Sequence, residues 1–211
     1  MELIDTLAFP YAVAVCDSSL HPPGNSWNRN IFRTPNSPPF DQWPAWAPEV
    51  PQGMPLTVEE LRTAAFQLHS RAAQQRTLKV IEFASALSGS AGESLSRVKM
   101  FQLGFPIPIL QKSFVLRNGK KAKADFWFQE QRIVGEFDGR GTYLRANWGG
   151  GLTLQERIMA EKVRENQIRS QGVGFARWDW KELMNTETFA RILRQAGLRQ
   201  SRPMTGPWGI Y

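Results

Sequence analysis

The sequence predicts an α/β fold in which helices lead into a three-strand meander that is followed by helix, strand and helix. Three observations predict it. Serine or threonine followed three residues later by glutamate occurs at Thr57, Ser90 and Thr153, each ahead of a helix-period stretch, and this capping box satisfies the first free amides of a helix. Between the second and third box the apolar period changes from helical to alternating. Asn118-Gly119 and Glu130-Gln131 divide the alternating stretch where hairpin turns would fall.

The elements follow in order. The box at Thr57 and Glu60 opens a helix to about Ser70, and a second helix runs from about Ala72 to Leu87 with Leu78, Ile81, Phe83 and Leu87 on its apolar side. The box at Ser90 and Glu93 opens a third helix that ends near Gly104, ahead of Pro106 and Pro108. Strands are expected at 109–117, 122–128 and 132–138. The box at Thr153 and Glu156 opens a long helix that Gly172 ends, 173–178 makes a fourth strand, and a last helix runs from about Glu187 to Ala196. The chain is thereby divided into residues 1–56, a short helix plus a proline-rich connector, and residues 57–211, a folded domain whose core spans about 90–197.

Ten of the 14 prolines lie in residues 1–56, so residues 21–56 cannot be regular helix or central strand and are expected to be extended. Trp27, Trp43 and Trp46 within that segment are expected to dock onto folded parts. Leu3 to Cys16 is apolar, yet Glu2 and Asp5 occupy the place of a cationic leader and Pro10 interrupts it, so a signal peptide is not expected. No run approaches the length of a membrane span, and a cytoplasmic location is the expectation.

Charge and rare residues narrow the chemistry. With 26 Lys plus Arg against 19 Asp plus Glu, the 211-residue chain carries a net charge of +7, which points to a polyanion such as nucleic acid or an acidic membrane surface. The charge is divided unevenly: residues 1–56 are net −3 and residues 57–211 net +10. The single cysteine, Cys16, excludes a disulfide framework and a cysteine-based zinc site. Two histidines, His21 and His69, leave little room for a His-based triad or metal site. Chemistry must rest on carboxylates, lysine, arginine and water.

The hairpin of residues 122–138 concentrates the candidate groups. Alternation places Ala124, Phe126 and Phe128 on one face and Lys123, Asp125 and Trp127 on the other. With Glu130-Gln131 as the turn, Asp125 stands opposite Glu136, with Asp138 one pleat further on. Like charges about 5 Å apart repel. Two readings follow: an exposed hairpin whose acids merely keep it soluble, or a partly covered face whose acids store strain or hold a cation. Val134 and Trp127 on the same face argue for partial cover. All-oxygen ligands would favour magnesium or manganese over zinc.

Several segments together carry a resemblance: Gly92-Glu93-Ser94-Leu95-Ser96-Arg97, Leu110-Gln111, Ala124-Asp125-Phe126, Val134-Gly135-Glu136-Phe137-Asp138-Gly139, Glu161-Lys162-x-Arg164-Glu165 and Arg177-Trp178-x-Trp180. Over residues 57–197 the chain resembles the very-short-patch-repair-like endonuclease domain of the PD-(D/E)xK nuclease superfamily, in the form found in actinobacterial proteins related to abortive-infection antitoxins. Tyr11 to Leu20 is weakly similar to the segment preceding that domain. Relatives often begin with a winged-helix DNA-binding domain, so a shortened relative or a truncated reading frame is expected.

The resemblance implies a restriction-endonuclease-like core, a mixed four-stranded sheet flanked by helices, and metal-dependent hydrolysis of DNA phosphodiester bonds in defence, repair or mobile-element biology. Glu93 matches the helix acid, Asp125 the motif aspartate and Glu136 the second acid, and Asp125, Glu136 and Glu93 would be the ligands of Mg2+ or Mn2+. Asp138 stands where many members have a lysine. Lys162 and Arg164 match the basic helix motif that would orient water or grip phosphate, with Lys123 a second candidate. The sequence departs from the pattern at Thr142, ahead of Tyr143 where a lysine is usual, and at Asn166 where an acid is usual. An alternative therefore stands beside the enzyme: the same fold as a DNA-binding or regulatory module of a toxin–antitoxin-like locus.

Plainer roles also exist for these residues. Glu93 is the third residue of a capping box, Lys162 and Arg164 can pair with Glu161 and Glu165 on the helix surface, and Trp178 and Trp180 can pack in core and rim. The Gly149-Gly150-Gly151 run lacks the lysine and hydroxyl residue of a phosphate loop and is expected to be a flexible connection.

Overall fold

The computed structural model describes residues 2–20, 55–139 and 153–203. The expected connector with Trp27, Trp43 and Trp46, the Gly149-Gly150-Gly151 run, Thr142 and Tyr143 lie outside the described residues. Two compact units make up the chain, Met1–Ser94 and Leu95–Tyr211. This division differs from the boundary expected at 56/57.

The reason lies in what the helices of residues 57–94 pack against. The first unit holds α1 (Glu2–Thr6), α2 (Phe9–Leu20), α3 (Val58–Ala65), α4 (Arg71–Phe83) and the start of α5 (Ala91–Leu103). Helix α4 packs on α1, α2 and α3. Its buried side is Ala73, Thr77, Val80 and Ile81, whereas Leu87, expected on that side, is past the helix end and exposed. Phe9 meets Phe83 edge-on at 5.6 Å, and Arg76 pairs with Asp5 at 2.6 Å. The fully buried Asp17 accepts from the Ser85 amide and the Ser94 hydroxyl, both at 2.7 Å. Thr57 and Glu60 form the expected capping box, and Ser70 caps α4 by accepting from the Ala73 amide.

The second unit is an α/β layer. A four-stranded sheet in the order β1 (Ile109–Val115), β2 (Lys121–Phe128), β3 (Ile133–Asp138), β4 (Gly174–Asp179) is antiparallel through β3, and β4 runs parallel to β3. A parallel neighbour needs a crossover, and α6 (Leu154–Arg169) lies between the two strands in the chain. The helices α7 (Trp180–Met184) and α8 (Thr186–Gln195) close the unit. The mixed sheet thus agrees with expectation; α7 was not expected, although Asp179 and Glu182 form its capping box.

Each face of the sheet has its own core. On one, Phe126 stacks on Trp178 at 5.5 Å, Trp178 meets Phe189 edge-on at 5.2 Å, and Met100, Leu183 and Leu193 fill the rest. On the other, Phe114, Trp127, Val134, Ile168 and Val173 pack together. Gly135 is required by this arrangement, because a Cβ there would stand 2.8 Å from the Trp178 ring.

The alternation expected along β2 fails at one point. Ala122 and Ala124 pack with Trp127, not with Phe126 and Phe128. The ladder with β1 pairs Leu110 with Phe126 and resumes at Lys112 with Ala124, and at the gap Gln111 adopts a left-handed φ of 53°. That turn of the backbone switches the faces on either side of Asp125. Lys123, flanked by the two buried alanines and itself exposed, does not share a face with Trp127.

Candidate functional site

Sheet register positions the hairpin acids. Pairs Phe128↔Ile133, Trp127↔Val134 and Phe126↔Gly135 follow the register expected from the sequence. The loop between the strands covers 129–132, four residues, with Arg132 in the left-handed region at φ 54°. The next step of that register sets Asp125 opposite Glu136. There the ladder stops, and the Asp125 carboxylate, in place of a backbone carbonyl, accepts from the Phe137 amide at 3.0 Å.

Glu136 is 8 % exposed and is held from two sides. Parallel pairing sets it beside Arg177 of β4, whose Nη2 lies 2.7 Å from Glu136 Oε2. Arg164 of α6 places its Nη2 2.6 Å from Glu136 Oε1. Both guanidinium groups also reach Glu161, Arg164 at 2.6 Å and Arg177 at 2.8 Å, and Arg177 approaches Glu165 at 3.3 Å. Positions 161, 164 and 165 share one helical face by their spacing. Arg164 further donates to the Lys123 carbonyl at 3.2 Å, which ties α6 to β2. Arg169 pairs with Glu165 at 2.7 Å and lies over the Phe175 ring.

Glu161, Arg164 and Arg177 titrate away from their ordinary values. The hydrogen bond from Arg164 holds the Glu161 carboxyl below its ordinary range, against the opposing effect of burial. Arg164 is correspondingly raised, first by its bond to Glu161 and then by Glu136. For Arg177, burial works toward a lower value, but Glu136, Glu161 and Glu165 together raise it.

The other expected site residues are placed as follows. Asp138 is half-buried at the end of β3, in register beside Asp179, whose carboxylate caps α7 by accepting from the Glu182 amide at 2.9 Å. Lys162 is exposed on α6 and takes no part in the bonds around Glu136. Glu93 belongs to the first unit, where its carboxylate accepts from the Gly89 amide at 2.7 Å and the Ser90 hydroxyl at 2.9 Å. Trp178 is core and Trp180, edge-on to Phe137 at 4.9 Å, is rim. Among the described residues no three His, Cys, Asp or Glu side chains are grouped as a metal site.

Sequence reasoning missed Arg177 as a partner of Glu136, and missed that Glu161 and Glu165 share that arginine. The spacing of 161, 164 and 165 was a signal for one helical face, but the meeting of Arg177 with Glu136 depends on the parallel register of β3 and β4. No helix among the described residues is long and apolar enough to cross a membrane. No protein-family model matches this chain, and comparisons with curated proteins and with solved structures find no match either.

Proposed function

We propose that residues 95–203 are a restriction-endonuclease-like unit that binds DNA through its surplus of positive charge, with the site at Glu136 serving structure instead of turnover. The observation that carries this reading is how the charges are used. Glu136 is neutralised inside the unit by Arg164 and Arg177, while residues 95–211 still hold 20 Lys plus Arg against 10 Asp plus Glu. A surplus of that size on one unit is the electrostatic footprint of a polyanion partner.

A magnesium or manganese ion on the set Asp125, Glu136 and Glu93 does not fit this arrangement. Both Glu136 oxygens already meet guanidinium nitrogens at 2.6 and 2.7 Å, so an incoming dication would displace them and then face two positive charges. Glu93 spends both oxygens on its helix cap.

The endonuclease reading keeps one specific observation in its favour. Asp125 and Glu136 are opposed where the β2–β3 ladder of this mixed, helix-flanked sheet stops. The two readings separate on supercoiled plasmid incubated with the full chain in magnesium, manganese or chelator. The DNA-binding reading expects salt-sensitive binding that persists in chelator, with no nicking. Nicking that requires the metal and vanishes in Asp125→Ala would replace it with the endonuclease.

A further inference from the structure

The second unit holds both ion-paired cations and a run of exposed cations close together on one element pair. Arg164, Arg169 and Arg177 are bound to carboxylates at 2.6 to 3.3 Å. Lys112, Arg117, Lys120, Lys121 and Lys123 are all exposed, and among the described residues none of them has an ion-pair partner. These five lie on one hairpin, β1–β2 and its turn, and no acid occurs from Gln111 to Ala124. Lys121 and Lys123 sit on one face about 7 Å apart, where no acid of residues 111–124 relieves their mutual repulsion.

The hairpin is also built to hold its shape. Leu116 and Lys120 close the turn at 2.8 Å, with Gly119 at φ 76°. The Arg117 amide donates to the Gln167 side chain and the Gln171 side chain donates to the Val115 carbonyl, both at 2.9 Å, which fixes the ribbon to the end of α6. Phe114 packs edge-on against Trp127 at 5.3 Å beneath it. On the outer face Val115, 59 % exposed, stands opposite Lys121, and Ser113 opposite Lys123. That face offers cations, a hydroxyl and one apolar contact on a fixed two-stranded ribbon at the edge of the sheet.

We infer that the β1–β2 hairpin is the surface that docks duplex DNA, with Lys121 and Lys123 on backbone phosphates. This deepens, and rests on, the DNA-binding reading given above. A two-stranded ribbon enters the major groove of B-form DNA, which is about 12 Å wide, whereas the deep, narrow major groove of duplex RNA does not admit it. The fixed backbone means that little ordering entropy is lost on binding.

The test measures binding of the full chain to a duplex of about 20 base pairs by fluorescence anisotropy over a series of salt concentrations. Neutralising the outer face in Lys121→Gln/Lys123→Gln is expected to weaken binding at low salt by about tenfold or more and to flatten the plot of log affinity against log salt by about two. The same charge change in Lys181→Gln/Arg191→Gln, exposed elsewhere in the unit, is expected to leave the slope nearly unchanged. Circular dichroism checks that both variants fold. If the wild-type chain shows no salt-dependent DNA binding, the DNA-binding reading itself fails. If it binds and the hairpin variant keeps the full slope, the hairpin assignment alone fails. Equal affinity for duplex RNA, or preferential binding to phosphatidylserine vesicles that the hairpin variant loses, would also overturn it.

Discussion

Asp17 and Glu136 are both buried carboxylates, one in each unit, and they are satisfied by different means. Asp17 is 1 % exposed and accepts from an amide and a hydroxyl; Glu136 is 8 % exposed and sits between two guanidinium groups. The two arginines cancel the charge of Glu136 and bind three elements together, β3, β4 and α6. The units as wholes differ in net charge. Residues 1–94 carry six Lys plus Arg against nine Asp plus Glu, net −3, and residues 95–211 are net +10. The division of charge therefore coincides with the structural division at Ser94, and residues 57–94, four bases against four acids, contribute nothing to the surplus. A buried acid with two cations is a structural joint, and what is left over outside it is available to a partner.

Truncation tests that comparison most severely. Glu136→Ala leaves Arg164 and Arg177 half-buried with only Glu161 and Glu165 to answer them, and is expected to lower unfolding free energy by about 3 kcal/mol in a urea titration. Asp17→Ala leaves an amide and a hydroxyl without this acceptor and is expected to cost about 2 kcal/mol. An equal or larger loss at Asp17 would mean that the ionic joint at Glu136 is not the costlier of the two to open. Gly135→Ala, which drives a methyl into Trp178, is expected to cost about 2 kcal/mol and to perturb the near-UV signal of the packed aromatics. A value near zero would mean that β3 and β4 can separate without cost.

Acid gives a smaller and graded effect. Glu161 has its pKa depressed in the folded state, so its contribution is fully present above the unfolded value near 4.5 and is lost as pH falls through the lower folded value. Chemical unfolding of the chain followed from neutral pH downward is expected to show a loss beginning below about 4.5, which Glu161→Gln reduces. Persistence of the full loss in that variant would remove Glu161 from the network's energetics. The helix caps provide the smallest change and the internal comparison. Ser70→Ala in the first unit and Asn185→Ala in the second each remove one side-chain acceptor from a first-turn amide, and each is expected to cost about 1 kcal/mol.

Local chemistry in the sequence reached the elements and the hairpin register, because capping boxes at Thr57 and Thr153 and the pairing of Phe126 with Gly135 depend on neighbours in the chain. It went wrong where the deciding contact is remote or the backbone departs from its regular form. Leu87 fits the helical period but lies beyond the last turn of α4. Lys123 fits simple alternation, but Gln111 in the left-handed region changes the faces around Asp125. The ionic joint at Glu136 needs β4 to lie parallel to β3, and nothing local to Glu136 announces Arg177. Glu93 shows the opposite case, a residue whose capping role was fully readable from Ser90-x-x-Glu93.

Cys16 has a practical meaning beyond packing. It is the chain's only cysteine, fully buried in the first unit, and so a thiol reagent can reach it only when that unit opens. Trp127, Trp178 and Trp180 all belong to the second unit. The rate of thiol labelling therefore times the opening of the acidic unit, while these packed indoles report on the basic one.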